Sequence, residues 1–235
     1  RRLFDAGISR ISVSLDGATA ASHDSFRGVN GAFDAALKGL AAARRNGLEF
    51  QINSTLTTLN IGELEDLHTL AIDLGAAGFH PFLLVPMGRG TGLADYAIPP
   101  EEYEAALERI AGLADRSPIE IKPTCSPHYA RVIRQRKPSG AMNEPKTGAP
   151  YTVAVSNPET SVVPPSHRHV MTKGCLGGQG FAFVSHTGIV QMCGFLEIPA
   201  GDLKKNGFDF KDIWDHSAFF NEIRDFDRYH GKCAV

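Results

Sequence analysis

The feature that most constrains this chain is a threefold alternation of strand and helix patterns between residues 8 and 115. ISRISVSLDG (8–17) reads as a buried strand ended by Asp-Gly. GAFDAALKGLAAARRNG (31–47) sets Phe33, Ala36, Leu37, Leu40 and Ala43 at helical spacing and closes on Asn46-Gly47. LEFQINSTLT (48–57) is a second strand. IGELEDLHTLAIDLG (61–75) is a second helix, with Leu64, Leu67, Ile72 and Leu74 on or near its apolar face. GFHPFLLVP (78–86) is a third strand, and PPEEYEAALERIAGLAD (99–115) a third helix with proline and acidic residues in its first turn. Strands and helices recurring at steps of roughly 30 to 40 residues predict right-handed βαβ units on a parallel sheet, an α/β fold. Three units do not close an eight-stranded barrel, so they form the second half of a barrel or a small open sheet.

IEIKP (119–123) is a candidate fourth strand and PHYARVIRQRK (127–137) a basic helix. Residues 138–172 are rich in Pro, Ser, Thr and Gly, too long for a plain connection, and are expected to be a lid, insertion or linker. Beyond them, FAFVSHTGIVQMC predicts two short strands around His186-Thr187-Gly188, and DIWDHSAFFNEIRDF (212–226) a short helix. The organisation expected is therefore 1–137, 138–172 and 173–235.

Composition narrows the partners. A net charge of −2 creates no global basic field for nucleic acid, and no apolar run approaches membrane-spanning length. A cytoplasmic protein without nucleic-acid or membrane partners is expected. The chain opens without an initiator Met or signal peptide and stops two residues after Cys233, so it reads as a piece of a longer protein. Nothing argues for secretion, so Cys125, Cys175, Cys193 and Cys233 are expected to be reduced and used for packing or ligation.

Each predicted parallel strand ends in polar or turn residues: Ser14-Leu15-Asp16-Gly17, then Gln51-Ile52-Asn53-Ser54-Thr55, then Val85-Pro86-Met87-Gly88-Arg89-Gly90. The carboxyl ends of parallel strands are where ligands bind, although Asp-Gly and Pro-x-Gly alone are commonly only turns. HDSFRG (23–28) adds His23, Asp24 and Arg27 in the loop after the first strand, or simply a solvated helix entry. Cys175 and Cys193 fit the spacing C-x12-G-x4-C, with cysteines at the two outer ends of a hairpin that turns at Gly188. By spacing alone these are buried thiols, zinc ligands completed by Cys125, Cys233, His167, His169 or His186, or iron–sulfur ligands.

ISVSLDGATAASHDSFRGVNGAFDAALKGL resembles the middle of the radical S-adenosylmethionine (SAM) barrel, and NSTLTTLN the unit that follows. C-x12-G-x4-C with a later Cys resembles the SPASM extension, which carries auxiliary iron–sulfur clusters. FHPFLLVPMGRG, KPTCSPHYARVIRQR, KGCLGGQGFAFVSHTGIVQMCGFL, AGDLK and YHGKC are similar to the tetrapyrrole-modifying branch of haem d1 and siroheme-pathway haem biosynthesis proteins. The chain departs from the family in lacking the C-x3-C-x2-C and Gly-Gly-Glu segments, and its closing cysteine run is reduced to Cys233.

The resemblance implies the C-terminal half of a partial (β/α)6 radical SAM barrel followed by a truncated α+β SPASM-type domain. Its cofactors would be [4Fe–4S] clusters and S-adenosylmethionine, its substrate a tetrapyrrole, its electron donor a flavodoxin or ferredoxin. It implies that Ser14 and Asp16 contact the SAM ribose or reaction centre, Asp16 being the catalytic candidate. Arg27 would face the SAM carboxylate, Asn53 and Thr55 would line a strand mouth, and Val85 would meet adenine. Arg89, His128 and Arg131, with Arg134 and Arg136, would pair substrate carboxylates, the alternative for this helix being a solvated face. Cys175, Cys193 and Cys233 would ligate an auxiliary cluster, and Cys125 would approach cluster or substrate or be a buried thiol. Competing readings are a radical SAM/SPASM peptide maturase, a non-catalytic zinc- or cluster-binding module, and a phosphate-binding barrel using GRGTG (88–92).

Overall fold

The computed structural model describes residues 2–136 and 175–228, apart from the side chain of Arg89. The expected insertion 138–172, His167, His169 and Cys233 lie outside the described residues. The chain divides into two compact units between residues 172 and 173.

The first unit begins with a single helical turn, α1 (Arg2–Asp5), and enters β1 (Arg10–Ser14). There follow α2 (Ala20–Arg27), α3 (Ala32–Arg45), β2 (Glu49–Leu56), α4 (Leu64–Leu74) and β3 (Gly78–Leu83). The unit closes with α5 (Pro100–Arg116), β4 (Glu120–Ile121) and α6 (Tyr129–Arg136). The four strands are parallel in the order β1-β2-β3-β4. The alternation of side chains across each strand separates two chemistries. Ile11, Val13, Leu15, Phe50, Ile52, Leu56, Phe79 and Leu83 form one core with α3, α4, α5 and α6. The opposite face carries Arg10, Ser12, Ser14, Gln51, Asn53, Thr55 and His80, together with Phe82 beside Thr55.

That polar face is concave. Arg10 on one edge strand pairs with Glu49 at 3.1 Å and with Glu120, on the other edge strand, at 3.6 Å. On a flat sheet those edge strands would stand about 14 Å apart, three spacings of about 4.8 Å, and side chains leaving it upright would not meet. Contact over β2 and β3 requires a bowed sheet.

Several boundaries differ from expectation. HDSFRG is not a loop: it lies in α2, where Thr19 and Ser22 form a capping box. Asp24 accepts from the backbone N–H of Gly31 (2.6 Å) and Phe33 (2.8 Å), tying α2 to the start of α3. Those two N–H groups hold its carboxyl below the usual range. On α4 the buried stripe is Leu64, Leu67, His68 and Ala71, with Ile72 only partly buried. GRGTG lies in a 3-10 stretch, Gly88–Tyr96.

The second unit is a three-stranded antiparallel sheet of β5 (Phe183–Val184), β6 (Ile189–Cys193) and β7 (Leu196–Asp202), followed by α7 (Phe210–His216) and α8 (Ala218–Arg224). Two strands and one helix were expected. The helix splits because the Ser217 hydroxyl donates to the Ala200 carbonyl at 2.8 Å and accepts from Phe220 N–H, starting a new helix. Val190, Ile213 and Phe220 are the buried centre.

Candidate functional site

Because β1, β2 and β3 are parallel, their carboxyl ends share one rim. Pairing sets Ser14 beside Asn53 and Asn53 beside His80, and, one layer nearer the rim, Thr55 beside Phe82. Phe82 in turn bridges Thr124. Asn53 is thus one layer below the end of its strand, which runs on to Leu56. Val85 follows the end of β3, and its carbonyl accepts from Met87 N–H at 2.8 Å.

Asp16 is fully buried at this rim. Its Oδ1 accepts from Thr55 N–H at 2.7 Å, and its Oδ2 lies 2.6 Å from Arg27 Nη2. Its own N–H donates to His23 Nδ1 at 3.0 Å, which sets the proton of the neutral imidazole on Nε2. Burial, above all, pushes the His23 pKa down; Asp16 and Asp24 oppose it, while Arg27 adds to it. The Oδ1 hydrogen bond anchors Asp16 at the rim, and Oδ2, buried without a hydrogen bond, holds Arg27 beside it by charge.

Asn60 completes the anchor. Its amide nitrogen donates to the carbonyls of Asp16 and Thr55, both at 2.8 Å, and its Oδ1 accepts from Thr57 N–H at 2.8 Å and Thr57 Oγ1 at 3.1 Å. The Ser54 hydroxyl donates to the Leu15 carbonyl, and Glu63 accepts from Ala18 N–H (2.7 Å) and Ser22 Oγ (2.8 Å). Gly17 is required by close approach: a Cβ there would stand 2.3 Å from His23 N and 2.7 Å from the Ser22 carbonyl carbon. The SLDG and HDSFRG segments are therefore one packed corner.

On the concave face below, Gln51 Nε2 donates to Asn53 Oδ1 (3.1 Å) and His80 Nδ1 (3.0 Å). Burial chiefly lowers the His80 pKa, and its Nε2 is buried with no protein partner. Gln51 belongs to the polar strand ends read from the sequence, whereas His80 and Glu63 were not singled out there. The signal for His80 was present as polar residues on the same parity of neighbouring strands.

Two arginines of the predicted substrate-binding helix pair with carboxylates of α5. Arg131 is spent on Glu104 and on Gln135 Oε1 at 2.6 Å, and Arg136 on Glu108 at 2.5 Å and Asp115 at 3.0 Å. Glu104, Glu108 and Asp115 lie on α5, so the basic residues of α6 form a solvated face that is ion-paired to its neighbour. His128 is exposed and packs edge-on to Tyr103 at 5.9 Å. Cys125 is exposed beyond β4 with φ +58°, immediately after the bridge to β3 has ended at Thr124.

In the second unit Cys193 ends β6, opposite Leu196. Cys175 is not at the other end of the hairpin. It precedes a glycine turn, Leu176–Phe181, and accepts from Gly177 N–H at 3.3 Å. Gly177 touches Met192: a Cβ there would lie 2.6 Å from its side chain and 3.2 Å from its carbonyl. The turn thus packs on the residue before Cys193. Cys125, Cys175 and Cys193 form no disulfide, and no group of three metal-ligating side chains is assembled among the described residues.

No family model matches the chain. In sequence it is 40% identical over 234 residues to an AdoMet-dependent heme synthase of Nitratidesulfovibrio vulgaris, covering 100% of this chain and 59% of that protein. It is 38% identical over 234 residues to a protein of the same name from Methanosarcina barkeri, covering 100% and 61%. A shorter match, 36% over 89 residues, is to a pre-heme d1 synthase of Dinoroseobacter shibae, covering 38% and 22%. The chain thus spans about three fifths of the length of the first two relatives. In structure it is similar to Streptococcus suis SuiB, solved with the precursor peptide SuiA, with TM-score 0.62, 12% identity and coverage of 95% of this chain and 45% of that one. At that identity the likeness concerns the fold alone. The resemblance drawn from the VP-x-GRG and PTC-x-PHY blocks is borne out by the sequence relatives.

Proposed function

We propose, on the premise that this chain is homologous along its whole length to AdoMet-dependent heme synthases, that it forms part of a radical SAM enzyme modifying a tetrapyrrole in haem or haem d1 biosynthesis. The observation that carries this is the polar concave face. Ser12, Ser14, Gln51, Asn53, Thr55 and His80 stand where an ordinary sheet buried between layers carries aliphatic side chains. The bowed parallel sheet is the later part of a (β/α)6 barrel, and this face is its lumen. Residues 1–137 are that barrel portion, 138–172 an insertion, and 173–235 an α+β auxiliary-cluster region of the SPASM kind.

The donor set suits S-adenosylmethionine. Ser14, Asn53 and Thr55 offer hydroxyl and amide groups for its ribose and methionine ends, and Val85 offers backbone at the third strand end. Arg27, 38% exposed beside Asp16, has guanidinium surface left for the ligand carboxylate. Asp16 acts through Arg27 and Thr55, fixing the cation and the strand end. When bound and reduced by a [4Fe–4S] cluster, S-adenosylmethionine supplies the carbon radical that removes hydrogen from substrate. Around it the protein's tasks are positioning and exclusion of water. Cys175 and Cys193 supply two thiolates for an auxiliary cluster, with Cys233 and Cys125 as further candidates. Arg89 and His128 remain the candidates for substrate carboxylates, since Arg131 is committed to Glu104. A flavodoxin or ferredoxin delivers the electrons.

The test is anaerobic reconstitution of the longer protein containing this chain, incubated with dithionite, S-adenosylmethionine and a haem precursor. 5′-Deoxyadenosine formed together with a mass change in the tetrapyrrole supports the reading. Modification of a peptide instead, or one zinc per chain without iron, would replace it.

A further inference from the structure

Arg224 is a partly buried cation that holds the glycine turn following Cys175, and nothing in the proposed chemistry uses it. The guanidinium of Arg224 lies over the Trp214 ring at 4.4 Å and near the Phe220 ring at 5.2 Å. Its Nε donates to the Gly178 carbonyl at 2.7 Å and its Nη1 to the Trp214 carbonyl at 2.6 Å. Its Nη2 is buried without a hydrogen-bond partner. Gly178, with φ +72°, admits no side chain: a Cβ would stand 2.1 Å from Ile223 Cδ1. The same turn is closed by Gly178 N–H to the Phe181 carbonyl at 2.7 Å, and its Gly177 N–H reaches the Cys175 sulfur at 3.3 Å.

We propose that Arg224 is the positioning residue for the Cys175 thiolate: it clamps the glycine turn that aims Gly177 N–H at the sulfur and packs the turn on Met192, next to Cys193. This rests on the reading of Cys175 and Cys193 as ligands. A sulfur that must bind metal gains from a fixed backbone donor, which orients it as other hydrogen bonds orient metal ligands. Stacked on two rings, a guanidinium serves this role where a lysine would not, because one planar group reaches two carbonyls while keeping its face on an aromatic ring.

The experiment uses the 235-residue chain with Co²⁺ alone as probe, read by sulfur-to-cobalt charge-transfer absorption, and hydrogen exchange of residues 176–181. Trp214, the single tryptophan, reports unfolding of the same unit. Arg224→Met keeps a stem over the rings and removes both donors. It is expected to weaken Co²⁺ binding by about tenfold, the cost common for groups that orient metal ligands, and to speed exchange in the turn. Arg224→Lys should fall between, and it decides the matter if Arg224→Met abolishes the cooperative Trp214 transition. Wild-type Co²⁺ affinity in a folded Arg224 variant would overturn the proposal, even if exchange in the turn rose. Absence of thiolate–cobalt absorption in the wild type, or its persistence in Cys175→Ala, would instead remove the ligand reading on which it rests.

Discussion

The side-chain amide of Asn60 hydrogen-bonds the carbonyls of Asp16 and Thr55, each at 2.8 Å, and so ties the end of one strand to the end of its neighbour. With its oxygen held by Thr57, all of this amide's partners are internal and the residue is 3% exposed. The rim is therefore set by the fold before any ligand arrives.

Asn60→Ala leaves two carbonyls and the Thr57 N–H buried and unpaired. A loss of roughly 3 kcal/mol is expected, a group left unsatisfied in the interior costing about 1–3 kcal/mol. Urea unfolding of the chain, followed in the far ultraviolet, measures it. A loss below about 1 kcal/mol, the scale of an ordinary surface change, would mean that Asn60 does not hold the rim.

Gly17→Ala drives a methyl into the backbone of Ser22 and His23, which cannot move without lifting α2 from the corner. A destabilisation of about 3 kcal/mol or more is expected for such overpacking. Gly39→Ala is the control: nothing lies within 4 Å of its added Cβ inside α3, so it should stabilise by about 0.5–1 kcal/mol. Equal effects of the two variants would contradict the packed corner.

His23, His68 and His80 all have pKa values held below 6.5, burial being the first cause in each. The unfolded chain then binds more protons than the folded one in this range, so stability is complete above pH 6.5 and falls as the pH drops below it. Each imidazole kept neutral contributes a slope of up to about 1.4 kcal/mol per pH unit. Urea midpoints should decrease between pH 7.5 and 5.5, and His80→Gln should flatten that decrease. A flat wild-type profile would show that these rings protonate without cost.

Cys193→Ala in the longer, reconstituted protein is expected to lower total iron while sparing S-adenosylmethionine cleavage, since under the proposed ligand set only an auxiliary site would lose a thiolate. Iron and sulfide analysis beside 5′-deoxyadenosine yield checks this; unchanged iron would remove Cys193 from the ligand set. The 235-residue chain alone, which contains no C-x3-C-x2-C segment, should yield no 5′-deoxyadenosine.

The strand–helix alternation was legible in the sequence because burial of one face repeats at a period that names the element. Phe33, Leu40 and Ala43 on α3, and Phe50, Ile52 and Leu56 on β2, are where their spacing put them. The polar strand ends, the family resemblance and the cysteines were legible too, since residue identity alone carries them. What only the tertiary structure decided is which polar groups meet. Asp16 finds Arg27 eleven positions on and Thr55 thirty-nine positions on, Arg10 reaches Glu120 across two intervening strands, and Arg131 turns to Glu104. Arg224 reaches Gly178 from the far end of its unit. Hydrogen bonds and ion pairs are short-ranged and directional, so partners distant in the chain are chosen by strand register, sheet curvature and the way helices end. Local periodicity carries none of those three.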